Sequence, residues 1–250
     1  MTAPGVRLYR DGPVATVTLD RPDVLNAQHI AMWTELRRIG RELPGDVRVA
    51  VVRGEGRAFS AGIDLAETRG PAFARLVQLA PEECAAQISQ YQEAFSWLRR
   101  PDLVTVAAVQ GHAIGAGFQL ALACDVRVLA DDAQLSMAEV TLGLVPDLGG
   151  TKRLVELVGY ARALELCVTG RRVGAAEADR IGLANVVVPR PELDPAVADL
   201  TAAVLAGPRD AVIEIKALLA GAAGRSYAEQ EAAEREAQTR RLRDLAGAGE

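Results

Sequence analysis

Two runs in the chain, Val47 to Arg53 (VRVAVVR) and Leu103 to Val109 (LVTVAAV), are β-branched and almost unbroken in apolar residues. A strand with one wet face alternates apolar and polar residues, so a strand without a polar face has to be covered on both sides. That condition is met by a parallel sheet clad in helices. The segments around these runs fit such a sheet. Gln28 to Leu43 and Glu82 to Arg99 carry helical spacing, Val14 to Leu19 alternates, and Val126 to Leu129 and Asn185 to Val188 read as further strands. The order strand, helix, strand, helix, strand predicts an α/β core.

Beyond Pro189 the pattern turns helical. Leu193, Val197, Leu200 and Val204 form one stripe, and Val212, Ile215, Leu218 and Leu219 form another. The prolines at 189, 191 and 195 mark a boundary, giving a core over 1–190 and a helical C-terminal region over 191–250. Tyr227 to Leu245 is charge-rich, with Glu231/Arg235 and Glu236/Arg240 spaced for ion pairs on one helix face. This segment reads as a solvated face or a subunit contact. No internal period of a repeat array is visible.

A chain of 250 residues is long enough to bury a core without disulfide or metal staples. Half its residues are hydrophobic and 24% are charged, which excludes disorder. Aromatics at 4% and a net charge of −5 leave a nucleic-acid surface nothing to build on. Met1 to Tyr9 has no apolar leader pattern and no window approaches a membrane span, so the expectation is a cytoplasmic protein without membrane contact. Cys84, Cys124 and Cys167 lie in apolar helical patterns and read as buried thiols. With only His29 and His112 as imidazoles, neither a metal site nor a histidine-based triad is expected. Catalysis then falls to carboxylates and backbone.

Three glycine-bearing loops follow strands, where open α/β folds present ligands. In Gly54 to Leu65 (GEGRAFSAGIDL), Gly62 allows a sharp turn that bares the Ile63 amide, and Arg57 brings a cation; an ordinary strand-to-helix turn is the competing reading. In Gln110 to Asp125 (QGHAIGAGFQLALACD), Gly111, Gly115 and Gly117 precede an apolar helix whose first amides can bind an oxyanion. A dinucleotide fingerprint fails there, because Leu120 occupies its third glycine position. In Ser136 to Leu154, Glu139 sits among Met137, Val140, Leu142, Leu144 and Val145, where desolvation raises a carboxyl pKa, making it the best base in the chain. Its alternative is a cap or ion-pair partner. Asp147 reads equally as a helix cap, and Lys152 and Arg153 as surface or structural residues.

Together with Asp20 to Ala27 (DRPDVLNA), these blocks carry a resemblance: the chain is similar to the crotonase (enoyl-CoA hydratase/isomerase) superfamily. The resemblance implies a spiral of strand-strand-helix turns, a C-terminal helical trimerisation region, a homo-oligomer (trimer or hexamer), and an acyl-CoA thioester substrate with no separate cofactor. It puts the oxyanion hole at the amides of Ile63 and Ala116, with Ala61, Gly62, Asp64, Leu65 and Gly115 as the surrounding substrate-binding positions. Thr68 to Glu83 would line the acyl pocket, shaped by Phe73, Leu76, Leu79 and Trp97.

The family's second catalytic glutamate falls on Glu139 and its first on Gln119. An amide orients water but exchanges no proton with it, so two-carboxylate hydration is not what this pattern favours. Asp147 lies eight positions after Glu139, where dienoyl-CoA isomerases of the family carry an aspartate. A base and a returning acid make a double-bond shift, so isomerisation is favoured over hydration. The usual acidic and aromatic family tail is absent, the chain ending in AGAGE. A Clp-type peptidase is disfavoured, because Gly117 and Phe118 stand where its serine belongs and His29 and His112 are poorly placed for it; His112 reads as a loop residue, not a base. The alternative to an enzyme is a non-catalytic acyl-CoA-binding protein of the same fold, which would need no buried Glu139; a structural module is the remaining one.

Overall fold

The computed structural model describes residues 5–247. Its strands are β1 (Val6–Asp11), β2 (Val14–Leu19), β3 (Val49–Gly54), β4 (Val104–Val109), β5 (His112–Ile114), β6 (Val126–Ala130), β7 (Gln134–Ser136), β8 (Val173–Gly174) and β9 (Val186–Val188). The helices are α1 (Ile30–Glu42), α2 (Leu65–Thr68), α3 (Pro71–Gln78), α4 (Pro81–Ser96), α5 (Ala116–Ala123), α6 (Gly150–Val158), α7 (Tyr160–Thr169), α8 (Ala175–Arg180), α9 (Leu193–Ala206), α10 (Arg209–Ala222) and α11 (Tyr227–Leu245). One sheet has the order β1-β2-β3-β4-β6-β9, parallel except for the β1/β2 hairpin. The other is β5-β7-β8, with β5 and β7 parallel.

The period-2 pleat explains the unbroken apolar runs. In β3 and β4, Ala50, Val52, Ala107 and Val109 join the core built with Met32 and Leu36 of α1, Phe95 of α4 and Phe118 of α5. Their neighbours Val49, Val51, Val106 and Ala108 face the other way, with Val128 and Ala130 of β6, and are covered by Leu193 and Val197 of α9. The α9 stripe therefore closes the sheet of its own chain. Pro195 does not interrupt α9 but sits in its first turn, where a backbone N–H has no helical partner to lose.

The α10 stripe is only partly covered: Val212 and Leu218 are half-buried, but Ile215 is 55% exposed and Leu219 71%. On α11 neither Glu231/Arg235 nor Glu236/Arg240 pairs, and Arg240 and Arg241 bond to α10 instead. Arg240 grips Glu214 through two nitrogens, at 2.6 and 2.9 Å, and Arg241 reaches Asp210 at 3.5 Å. A planar fork matched to a carboxylate on the packed helix wins over the looser contact along one face. Ser226 and Glu229 form a capping box at the start of α11.

Sequence patterning missed β1, β5, β7 and β8; the last three are two or three residues long, too short to show a period. His112 lies in β5 and not in a loop. Of the three cysteines only Cys124 is fully buried, its thiol pKa pushed up to about 12 by desolvation, while Cys84 and Cys167 are half-buried. No described helix is long and apolar enough to cross a membrane. Residues 1–4 and 248–250, on which the readings of the N-terminus and of the AGAGE ending partly rest, lie outside the described residues.

Candidate active site

Asn26 anchors the site. Its backbone is in the left-handed region (φ 54°), which asparagine tolerates, and its fully buried side chain donates to Glu55 O at 2.9 Å and Ala58 O at 2.8 Å. The loop so fixed runs along β5: Phe59 N donates to Gln110 O, Ser60 N to His112 O and Ile114 N to Ser60 O, all within 3.0 Å. A strand-like partnership thus brings the first glycine loop beside the second. Two glycines make the approach close enough. Gly62 has φ +89°, and a Cβ there would lie 2.5 Å from Ile114 O and 3.7 Å from Ala116 N. A Cβ on Gly117 would lie 2.6 Å from Ser60 O. Neither position admits a side chain without parting the loops.

The two N–H groups expected to form an oxyanion hole meet in this junction. Gly62 O accepts from Gln28 N and Asp64 N donates to Gln28 O, so the bonds on either side of the Ile63 amide are taken. Among the described residues, neither Ile63 N–H nor Ala116 N–H donates to a protein acceptor. Ala116 is the first residue of α5, where the unpaired amides and the helix dipole favour negative charge.

Glu139 opens a single 3-10 turn (Glu139–Leu142) and is 9% exposed. Its carboxylate lies against Gly115, and Gln119 Nε2 donates to Oε1 at 2.7 Å, while the buried Oε2 has no partner among the described residues. Burial raises its pKa, with a smaller push from Asp147; its own backbone N–H and Gln119 oppose the rise. The Gln119 amide is committed at both ends, because its oxygen accepts from Leu148 N at 2.9 Å and Gly150 N at 3.2 Å. Two N–H donors at one end fix which end is oxygen, and the nitrogen is thereby turned to the carboxylate.

Asp147 does not cap α6. Gly149 is the N-cap, with no side-chain bond, and the Asp147 carboxyl faces the same cavity as Glu139 with its pKa raised by burial. The turn before it is tied to α4 by Gln92 Nε2, which donates to Asp147 O at 2.6 Å. Glu139 is likewise neither a cap nor an ion-pair member, whereas Lys152 and Arg153 both pair with Glu156.

A cavity of about 780 Å³ joins these groups. It is lined by the ten positions to which the resemblance gave catalytic, oxyanion or substrate-binding roles, Ala61 to Leu65, Gly115, Ala116, Gln119, Glu139 and Asp147, and by Phe73 and Leu76 of the expected acyl pocket. Leu79 and Trp97 are not in its wall; Trp97 packs over Gly40 in the core. Arg57 is exposed and away from the cavity. The Asp64 carboxylate is already engaged, capping α2 through Ala66 N and pairing with Arg21 at 2.9 Å. The wall also holds His29, Trp33, Cys84, Ile88 and Tyr91, none assigned to the site from sequence. Their helical spacing on α1 and α4 looks the same whether it faces a core or a cavity. His29 additionally caps α1, its Nδ1 accepting from Met32 N at 3.1 Å.

The parallel sheet clad on both faces, the second small sheet and the cavity between the glycine loops place the chain among crotonase-fold proteins. Solved structures of this fold align over nearly its whole length. A Thermobifida fusca protein described as a putative enoyl-CoA hydratase, in complex with CoA, superposes with a TM-score of 0.91 at 52% identity, covering 98% of this chain and 95% of that one. With acetoacetyl-CoA bound, a structure from the same organism gives 0.92 at 50% identity, covering 96% of each chain. A probable enoyl-CoA hydratase of Mycobacterium tuberculosis is 36% identical over 77% of this chain and 72% of its own length. The sequence model of the family enoyl-CoA hydratase/isomerase matches residues 10–244, and the chain belongs to that family.

Proposed function

We propose that the protein is an enzyme acting on an acyl-CoA thioester through an oxyanion-stabilised enolate, and that it moves a double bond in preference to adding water. In this reading the thioester oxygen accepts from Ile63 N–H and Ala116 N–H. Glu139 Oε2 removes a proton from the carbon next to the carbonyl, and the electron pair delocalises onto that oxygen, where fixed dipoles in a water-poor cavity are most effective. Asp147, whose pKa burial raises, returns a proton two carbons further along a 3-enoyl chain, giving the 2-enoyl product. Glu139 then holds one proton more and Asp147 one fewer, and exchange with solvent restores both. CoA complexes of the Thermobifida fusca relatives support the substrate class.

The commitment of the Gln119 amide carries the preference. It clamps the base and supplies no second carboxylate to a water, while the free Oε2 of Glu139 would be without purpose in a mere binder. Purified protein is to be tested for interconversion of 3-enoyl- and 2-enoyl-CoA and for hydration of 2-enoyl-CoA. Isomerase turnover should exceed hydratase turnover; a hydratase rate above the isomerase rate would sink the preference.

A further inference from the structure

A buried chain of polar side chains behind the Ile63 loop takes no part in the reaction above. Trp33 Nε1 donates to Gln28 Oε1 at 2.8 Å, Gln28 Nε2 donates to Ser60 Oγ at 3.1 Å, and the Ser60 hydroxyl donates to Asn26 O at 2.8 Å. Gly62 N also donates to Ser60 Oγ, at 3.2 Å. The direction of every bond is forced. An indole N–H only donates, so Gln28 turns its oxygen to Trp33 and its nitrogen to Ser60, and the hydroxyl proton is left for Asn26 O. Gln28 and Ser60 are fully buried, where a satisfied polar network is rigid and a broken one is costly.

The main chain of Gln28 grips the same loop. Its N–H donates to Gly62 O at 2.6 Å, and its carbonyl accepts from Asp64 N at 2.7 Å. Across a trans peptide the C=O and the next N–H point in opposite directions, so pinning Gly62 O sets the aim of Ile63 N–H. Those main-chain bonds would survive an apolar residue at position 28. What the amide side chain adds is a tie from Ser60, under Gly62, to Trp33, whose ring lines the cavity 5.1 Å from that of Tyr91.

We infer that Gln28 and Ser60 are positioning residues that lock the Ile63 oxyanion donor to Trp33 in the cavity wall, so that an acyl chain packed on Trp33 tightens the hold on the thioester oxygen. This rests on the acyl-CoA reading above. It makes acyl length a determinant of kcat through the donor's aim, apart from any effect on affinity.

The test is Gln28→Met, which keeps length and removes both side-chain bonds, alongside Trp33→Phe, which keeps an aromatic ring in the wall and removes the indole N–H with part of the ring system. Both are checked for folding by thermal melts, then assayed over a series of acyl lengths, with infrared difference spectra of the bound thioester carbonyl. Wild-type kcat should rise with chain length. In both variants that rise should flatten, with kcat about 10-fold lower on the longer chains and KM within about 2-fold. The carbonyl band should be lowered less on binding than in the wild type. Folded variants with wild-type kcat and band position, or a uniform kcat loss with an unmoved band, would overturn the coupling. Wild-type protein that neither binds nor turns over any acyl-CoA would instead overturn the acyl-CoA reading itself.

Discussion

Glu139 is held by one oxygen and bare at the other, and that asymmetry makes its removal informative. Glu139→Gln retains shape and the bond from Gln119 but takes away the proton acceptor, so kcat should fall at least about 100-fold with little change in affinity. The same substitution reads the cost of burial. Because the pKa of Glu139 is raised in the folded state, the folded protein binds more protons than the unfolded one between the two pKa values, so stability declines as pH rises through that window. Glu139→Gln should therefore gain stability relative to the wild type at neutral pH and lose the advantage below the ordinary carboxylate range; melting curves across pH that run parallel would refute this. Gln119→Glu places a second carboxylate beside the first and should bring in hydration of 2-enoyl-CoA, at a stability cost of about 1 to 3 kcal/mol from like charges and the lost Nε2 bond to Glu139, while a carboxylate oxygen still accepts from Leu148 N and Gly150 N. A variant that hydrates no faster than the wild type would show that position 119 does not set the chemistry. Glu139 and Asp147 were legible in the sequence because acids are scarce in that apolar stretch. The double engagement of Gln119 was not, since its partners at 148 and 150 are about 30 residues away and meet it only in the folded chain.

At the scale of elements, two-sided burial is what the sequence states most openly. The apolar runs at β3 and β4 have no polar face, and the structure covers both faces with helices. The short strands of the second sheet carried no signal, yet they decide the site, because pairing of the Ser60 segment with β5 is what sets the two loops side by side. The glycines registered that closeness without revealing it: a glycine at 62 reads as a turn, while its contact with Ile114 O is visible only in three dimensions. Gly62→Ala would force a side chain into a backbone at φ +89° and against that carbonyl. Strain of about 1 to 2 kcal/mol and a shifted Ile63 donor should result, with kcat down about 100-fold. Full activity in a folded Gly62→Ala protein would remove Ile63 from the oxyanion hole. The cavity wall on α1 and α4 stayed hidden for a different reason, since Trp33 and Tyr91 satisfy the helical core pattern whatever lies beyond them.

At the scale of the whole molecule the two C-terminal stripes, alike in sequence, have different fates. Leu193 and Val197 of α9 are buried on the sheet of their own chain, whereas α10 leaves Ile215 and Leu219 in the open, stiffened by Arg240 and Glu214 behind them. Nothing in the period of either stripe distinguishes them. A rigid helix presenting large aliphatic side chains costs apolar exposure unless another surface covers it, and a second copy of the chain meets that need with a closed, symmetric arrangement. A trimer or hexamer, which the family resemblance implies, would on this argument assemble through α10 rather than through the C-terminal region as a whole. Light scattering of the purified protein at micromolar concentration should give the mass of three or six chains. Ile215→Lys combined with Leu219→Lys should shift it toward a monomer while far-ultraviolet circular dichroism stays unchanged, because neither side chain supports the fold from within. The matching double substitution on α9, Val197→Lys with Leu193→Lys, should unfold the chain instead of dissociating it, since those residues close the sheet. If the α10 variant keeps the wild-type mass, the assembly surface lies elsewhere; if the wild type is itself a monomer, the exposed stripe has no partner of its own kind.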